Sequence, residues 1–167
     1  MTLSFSTNLN GKPTYFVEKI ISGLHGLDTF KGFNLSKKYD HNLDLIEECH
    51  SKIHTIRQDS QNRWKAGMLI HFVINNRTKN RFQFADCFPV ISVQDIWIHP
   101  SNRTIDVWKK DSKDSSDSFR DGYWEKLSQS QIELLSKNDG FDNIEDFWQW
   151  FNHEFGGKII HWTDFQY

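Results

Sequence analysis

Leu3, Ser4, Phe5 and Ser6 alternate apolar and polar, the period of a short half-buried strand. Behind Thr14 the period changes. Tyr15, Phe16, Val17, Ile20, Ile21 and Leu24 fall at helical spacing, with Gly23 and Gly26 near the end, and predict a first helix of about three turns. Residues 25–50 follow as a long polar, irregular excursion. A strand is predicted over 68–74, with Gly67 before it and His71 read as a satisfied core histidine. Alternation returns at 81–84, a longer strand covers 90–98, and another covers 104–108. Residues 109–121 are a loop rich in Ser, Asp and Lys.

Two more helices are predicted beyond this loop. Ser128 and Gln131 have capping-box spacing ahead of Ile132, Leu134 and Leu135, and Asn138-Asp139-Gly140 supplies the stop. Asn143 caps the next helix, which carries Phe147, Trp148, Trp150 and Phe151 and is closed by Gly156-Gly157; one or two of these aromatics should be exposed. A final strand covers 158–162. There is no internal repeat and no Gly-rich phosphate loop. This order of elements suggests an α+β fold, a small mixed β-barrel with about three helices, rather than a doubly wound sheet.

The composition fits one domain over 1–167: 167 residues suffice for a real core, and 15% aromatic residues argue against a disordered chain. No apolar run approaches the roughly 18 residues of a transmembrane helix. Met1-Thr2-Leu3-Ser4 lacks the features of a signal peptide, and Cys49 and Cys87 cannot make a disulfide framework. A cytoplasmic protein without a membrane partner is expected. The net charge of −2 conceals a strong asymmetry. Between His50 and Arg81 seven basic residues face Asp59 alone, a net of +6, and the remaining 13 basic and 21 acidic residues leave −8. Such an island is the footprint of a phosphate-binding surface, or a solvated basic face balanced by acidic helices.

The residues within the island carry the candidate chemistry. Lys52, His54, Thr55 and Arg57 are followed by Asp59 and then by Asn62-Arg63-Trp64-Lys65-Ala66-Gly67. Thr is a weak nucleophile that needs a neighbouring base, and a Lys serves only if burial lowers its pKa from about 10.4. In a straight strand Thr55 and Arg57 share a face while Lys52 and Thr55 point oppositely, so a joint site requires a bend. Trp64 between Arg63 and Lys65 suits a base-stacking platform, or packs under a turn with its indole N–H bonded to backbone. Arg77 and Lys79 sit on a basic tip and are the best phosphate contacts outside the cleft. Cys49, His50 and His54 lack the second pair of a zinc finger, and neither a metal nor a cofactor is expected.

The pattern Lys-x-x-Thr-x-Arg, then basic-Trp-Lys-x-Gly before a strand, resembles the ASCH domain family of the PUA-like superfamily. The resemblance extends to the helix before the motif, the Asn138-Asp139-Gly140-Phe141 turn with its following helix, and the closing strand. It implies a PUA-like β-barrel and work on RNA or nucleotides. Some members of the family bind RNA, some are ribonucleases, and some hydrolyse the amide of acetylcytidine with a Lys, a Thr and a Glu. Carried across, these are Lys52, Thr55 and, in place of Glu, Asp139, with Arg57 lining the same cleft. The leading expectation is therefore RNA or nucleotide/nucleoside binding by Lys52, His54, Thr55, Arg57, Arg63, Trp64 and Lys65. A hydrolase using Lys52, Thr55 and Asp139 is the alternative, and a protein-interaction module using exposed aromatics of the 143–155 helix is a further one.

Overall fold

The computed structural model describes residues 1–9, 11–25, 27, 43–110 and 122–167. Its first elements are β1 (Thr2–Phe5), β2 (Asn8–Leu9), β3 (Lys12–Pro13), α1 (Phe16–Leu24) and α2 (Leu43–Glu48). Then come β4 (His54–Arg57), β5 (Leu69–Ile74), β6 (Phe82–Gln83), β7 (Phe88–Pro89), β8 (Ser92–His99), β9 (Thr104–Lys110) and β10 (Gly122–Lys126). The chain finishes with α3 (Gln129–Asn138), α4 (Ile144–Trp150) and β11 (Phe155–His161).

Alternation along β1 buries Leu3 and Phe5 and exposes the residues between, and the strand pairs in parallel with β5, Leu3 opposite Phe72. β6 and β7 pair antiparallel to β5. The apolar stripe of α1, namely Val17, Ile20, Ile21 and Leu24, closes a first core over this sheet with Phe72, Phe84, Trp64 and Trp162. A second, antiparallel sheet has the order β10-β9-β8-β11-β4. Its Ile56, Ile96, Ile98, Ile105, Val107 and Ile159 form a second core with Ile132 and Leu135 of α3 and Phe147 and Trp148 of α4. The caps predicted for these helices are present: Ser128 and Gln131 form the capping box, and Asn143 accepts from the Asp146 N–H at 2.9 Å.

The fold is α+β, with several sheets and four helices among the described residues. The ladders remain separate sets, and no closed barrel is formed among those residues. The helix beyond the expected three is α2, inside the stretch read as an irregular excursion. Residues 28–42 of that excursion and 111–121 of the polar loop lie outside the described residues. Gly156 and Gly157 do not close a helix. α4 ends at Trp150, and both glycines lie in β11 opposite Trp97 and Ile96. A Cβ on Gly156 would lie 2.7 Å from the Trp97 ring, and one on Gly157 2.6 Å from the Arg57 carbonyl oxygen, so close approach across the sheet requires glycine there. His71 is not a core residue either. It alternates with the buried Ile70 and Phe72 and is half-buried, its Nδ1 3.3 Å from both Gln83 Oε1 and Cys87 Sγ.

Candidate functional site

The ladder of β4 starts at His54, and the two residues before it are held by helices instead. The Lys52 N–H donates to the Lys19 carbonyl at 2.9 Å, and the Ile53 N–H to the Asn138 carbonyl at 3.0 Å. α1 approaches so closely that a Cβ on Gly23 would lie 2.5 Å from the Lys52 carbonyl oxygen. This departure from the ladder lets Lys52 and Thr55 line one pocket, although their spacing in a straight strand would set them on opposite faces.

The side chain of Lys52 is buried and its ammonium donates to both the carbonyl and the carboxylate of Asp139. Asp139 is the C-cap of α3, and the carbonyls there form the negative end of the helix, which favours a cation. A second buried lysine serves the same turn: Lys19 Nζ donates to the Gly140 carbonyl at 2.9 Å and to Asp142 at 2.6 Å. Gly140 completes the turn at φ +93°, and a Cβ on it would lie 2.9 Å from the Phe16 ring and 3.0 Å from Lys52 Cδ. Burial pushes the Lys52 pKa down to about 8 against the pull of Asp139, and burial pushes the Asp139 carboxyl up against the pull of Lys52.

Thr55, Ile56 and Arg57 form one wall of the pocket, and Phe5, Phe16, Phe141, Leu9 and Trp150 surround the rest. Arg57 crosses the seam between the two sheets, donating from Nη2 to the Ser4 carbonyl at 2.9 Å with its guanidinium 5.3 Å from the Phe5 ring centre. Its buried Nε has no partner among the described residues, and burial lowers its pKa. The cavity volume is about 40 Å³, room for a few water molecules or one small group. Trp150, 52% exposed, stands at the mouth.

Lys52, Thr55, Arg57 and Asp139 are thus brought together, and the other candidates are elsewhere. His54 lies behind the pocket, wholly buried, its Nε2 2.7 Å from the Tyr167 hydroxyl. That hydroxyl accepts from Asn138 Nδ2 at 2.9 Å, and burial holds the His54 pKa well below its ordinary value, so the imidazole is neutral. His54 Nδ1 lies 3.9 Å from Asp139 Oδ1. Beside it His161, its register partner on β11, has no hydrogen-bond partner on either ring nitrogen among the described residues, and burial pushes its pKa down to about 4. Trp64 packs into the first core, so its ring offers no face to a base; Asp59, accepting its N–H at 2.9 Å, folds the loop that holds it. Arg63 and Lys65 are exposed on that same loop, away from the Lys52 pocket. Arg77 and Lys79 are exposed on the turn after β5. The basic island is accordingly split, with Lys52 and Arg57 in the pocket and its other cations on two surface loops.

Lys19 was not among the candidates, and Trp150 entered only as one of the helix aromatics of which one or two should be exposed. Lys19 gives no signal beyond its place in a helical stripe, since one turn away it would be an ordinary surface lysine. Trp150 stands two residues after the buried Trp148, a spacing that turns it to the other side of a helix. Among the described residues no three His, Cys, Asp or Glu side chains are grouped to hold a metal. No described helix is long and apolar enough to cross a membrane. No family model, curated protein or solved structure matches this chain.

Proposed function

We propose that the chain is a PUA-like domain, similar to ASCH domains, that holds a nucleoside or nucleotide, free or within RNA, at the Lys52 pocket. The observation that carries this reading is the convergence of Lys52, Thr55, Arg57 and Asp139 on one pocket with an aromatic rim. Trp150 at the mouth and the partly buried Phe16 offer stacking surface for a base, with Phe5 and Phe141 as apolar wall, and Arg57 offers a cation with an unpartnered N–H for an anionic or carbonyl oxygen. The narrow interior admits a substituent of the base or sugar, with the ring resting at the mouth. Anisotropy titration of labelled mononucleotide and single-stranded RNA at two salt concentrations tests the reading. Binding that weakens with salt is expected, and no binding of either at low salt would overturn it.

Amide hydrolysis on an acylated nucleoside is the second reading, favoured by the buried Lys52–Asp139 contact beside Thr55. Burial lowers the Lys52 pKa to about 8, so the amine is partly neutral near neutral pH, as a general base must be. Thr55 Oγ attacks the acyl carbon and its proton passes to the neutral form of Lys52. The amine leaves with that proton, and water then releases the acyl group from Thr55 as a carboxylic acid. Lys52 must be neutral to act, so the rate rises with pH and levels off above about 8. Acetylcytidine hydrolysis followed from pH 6 to 9.5 tests this, roughly spanning the titration of such a lysine. Full activity in Thr55→Ala would exclude the mechanism.

A further inference from the structure

The solvent face of the five-stranded sheet carries a feature that the Lys52 pocket does not use. Trp97 on β8 and Trp124 on β10 are 45% and 47% exposed, whereas Trp64, Trp148 and Trp162 are buried. The register sets Trp97 opposite Asp106 and Trp124 opposite Trp108, so these three indoles share the outward face. Trp124 meets Trp108 edge-on, with ring centres 5.5 Å apart. Trp97 lies over Gly156 and donates its indole N–H to Glu154 at 3.1 Å. Both exposed rings are therefore held in place.

A groove of about 510 Å³ runs between these rings and the loop after β4, lined also by Gln58, Asp59, Ser60, Asn62, Asp95 and Lys158. Indole faces for stacking, with amides and hydroxyls for the edges, are what an unpaired nucleobase requires. The two carboxylates are already engaged. Asp95 pairs with Lys158 at 2.5 Å, and Asp59 accepts the Arg63 and Trp64 N–H groups at 3.0 and 2.9 Å. Beyond the lining residues the loop after β4 carries two exposed cations, Lys65 and Arg63, the latter with its Nε 3.8 Å from Asp59 and its side chain 62% exposed. Glu154, bonded to the Trp97 indole and to His99, is the exposed carboxylate on the opposite side. The groove and the pocket share no lining residue but are reached from the same strand, β4. Lys158 is the register partner of Arg57, and Trp97 lies one strand beyond, about 10 Å across the sheet from β4.

We propose that this groove is a second subsite, for single-stranded nucleic acid, in which Trp97 and Trp124 stack bases while Arg63 and Lys65 meet the phosphates. It rests on the reading of the Lys52 pocket as a nucleotide site, and a neighbouring nucleotide of the same strand occupies that pocket. A chain longer than one nucleotide therefore binds more tightly than a mononucleotide.

Fluorescence anisotropy tests this with a labelled octanucleotide, as RNA and as DNA, and a labelled mononucleotide. The proteins compared are the parent, Trp97→Ala, Trp124→Ala, Asn62→Ala and Trp150→Ala, each checked by near-UV circular dichroism. Trp97→Ala and Trp124→Ala are expected to weaken octanucleotide binding about 5- to 150-fold each, with the loss confined to the octanucleotide. Asn62→Ala, an exposed loop substitution, gives a second reading of the groove and should weaken it by a smaller factor in the same direction. An equal loss on RNA and DNA marks recognition of the bases, and a loss on RNA alone marks the 2′-hydroxyl. Parent-like octanucleotide binding by both Trp variants, with Trp150→Ala weakened, would overturn the groove and leave the pocket standing. Loss in the Trp97 and Trp124 variants with Trp150→Ala unaffected would support the groove and count against the pocket. No octanucleotide binding by the parent would overturn the subsite. So would Trp substitutions that change only the elution volume on a sizing column, since the face would then join copies of the chain.

Discussion

Lys52→Met keeps most of the lysine's volume against Phe16 and removes its charge, leaving the Asp139 carboxylate buried without its cation. The fall of the Lys52 pKa from 10.5 to about 8 corresponds to roughly 3 kcal/mol against the charged lysine in the folded protein, even with Asp139 beside it. Between pH 8 and 10.5 the unfolded chain therefore holds a proton that the folded chain has released, and this group makes stability rise with pH across that window. Asp139 is shifted upward, so its burial penalty is absent in acid and sets in as pH rises through its folded pKa. Near neutral pH both penalties act together. Removing Lys52 alone should cost about 3–5 kcal/mol, because an uncompensated charge remains inside. Removing both charges in Lys52→Met/Asp139→Leu should leave stability at the parent's level or raise it by about 1–3 kcal/mol. Urea unfolding followed by tryptophan fluorescence at pH 7 and pH 9.5 measures both, and the double variant's advantage should shrink at the higher pH. A double variant less stable than the parent by more than about 1 kcal/mol, or a single variant within about 1 kcal/mol of it, would refute the reasoning.

Three further outcomes follow from the same neighbourhood. Tyr167→Phe leaves the buried His54 Nε2 and Asn138 Nδ2 without their shared partner and should cost about 1–3 kcal/mol in a urea titration. Gly140→Ala forces a side chain into a left-handed turn against Phe16 and Lys52, and should destabilise by roughly 1–3 kcal/mol while weakening ligand binding at the pocket. His161 is held neutral by burial, at about 4 against its ordinary 6.5, so the stability it contributes above pH 6.5 is lost as pH falls through 4, by roughly 3 kcal/mol. His161→Phe should therefore flatten the acid limb of a pH–stability curve, and an unchanged limb would count against it.

Much of the scaffold is legible because it rests on local chemistry. The Ser128 and Asn143 caps, the Gly140 stop and the alternation of β1 are written within a few residues of where they act. The meeting of Lys52 with Thr55 is only half legible: alternation sets the two apart, and the contacts that bend the chain come from Lys19 and Asn138, far away in sequence. Long-range packing hides the rest. Gly156-Gly157 reads as a helix stop, since its actual reason is a tryptophan from a neighbouring strand lying on it. Trp64 among cations reads either as a platform or as a ring packed under a turn, and the buried Asp59 that turns it inward is an unremarkable acid in the sequence. β10 pairs Trp124 with Trp108, yet Gly-Tyr-Trp-Glu-Lys shows neither alternation nor a strong apolar run because both of its faces are largely exposed.

The base of the pocket is held by more bonds than its rim. Lys52 and Lys19 reach the α3 terminus from different elements, and the Ile53 N–H reaches the same turn through the Asn138 carbonyl. A turn held from three sides at a glycine that tolerates no Cβ has little freedom to shift, and it holds the Asp139 carboxylate against Lys52. The rim is built differently. Leu9 sits on a two-residue strand, Trp150 ends a seven-residue helix, and Arg57 spans two edge strands that share no ladder among the described residues. Fewer bonds hold these three than hold the α3 turn, so the rim is the less constrained part of the pocket. The spacing of Lys52 and Asp139 is thereby set by the α3 turn and does not depend on the rim. On the proposed reading the junction between the two sheets suits a ligand site, because it joins this fixed turn to a rim whose two edge strands share no ladder among the described residues.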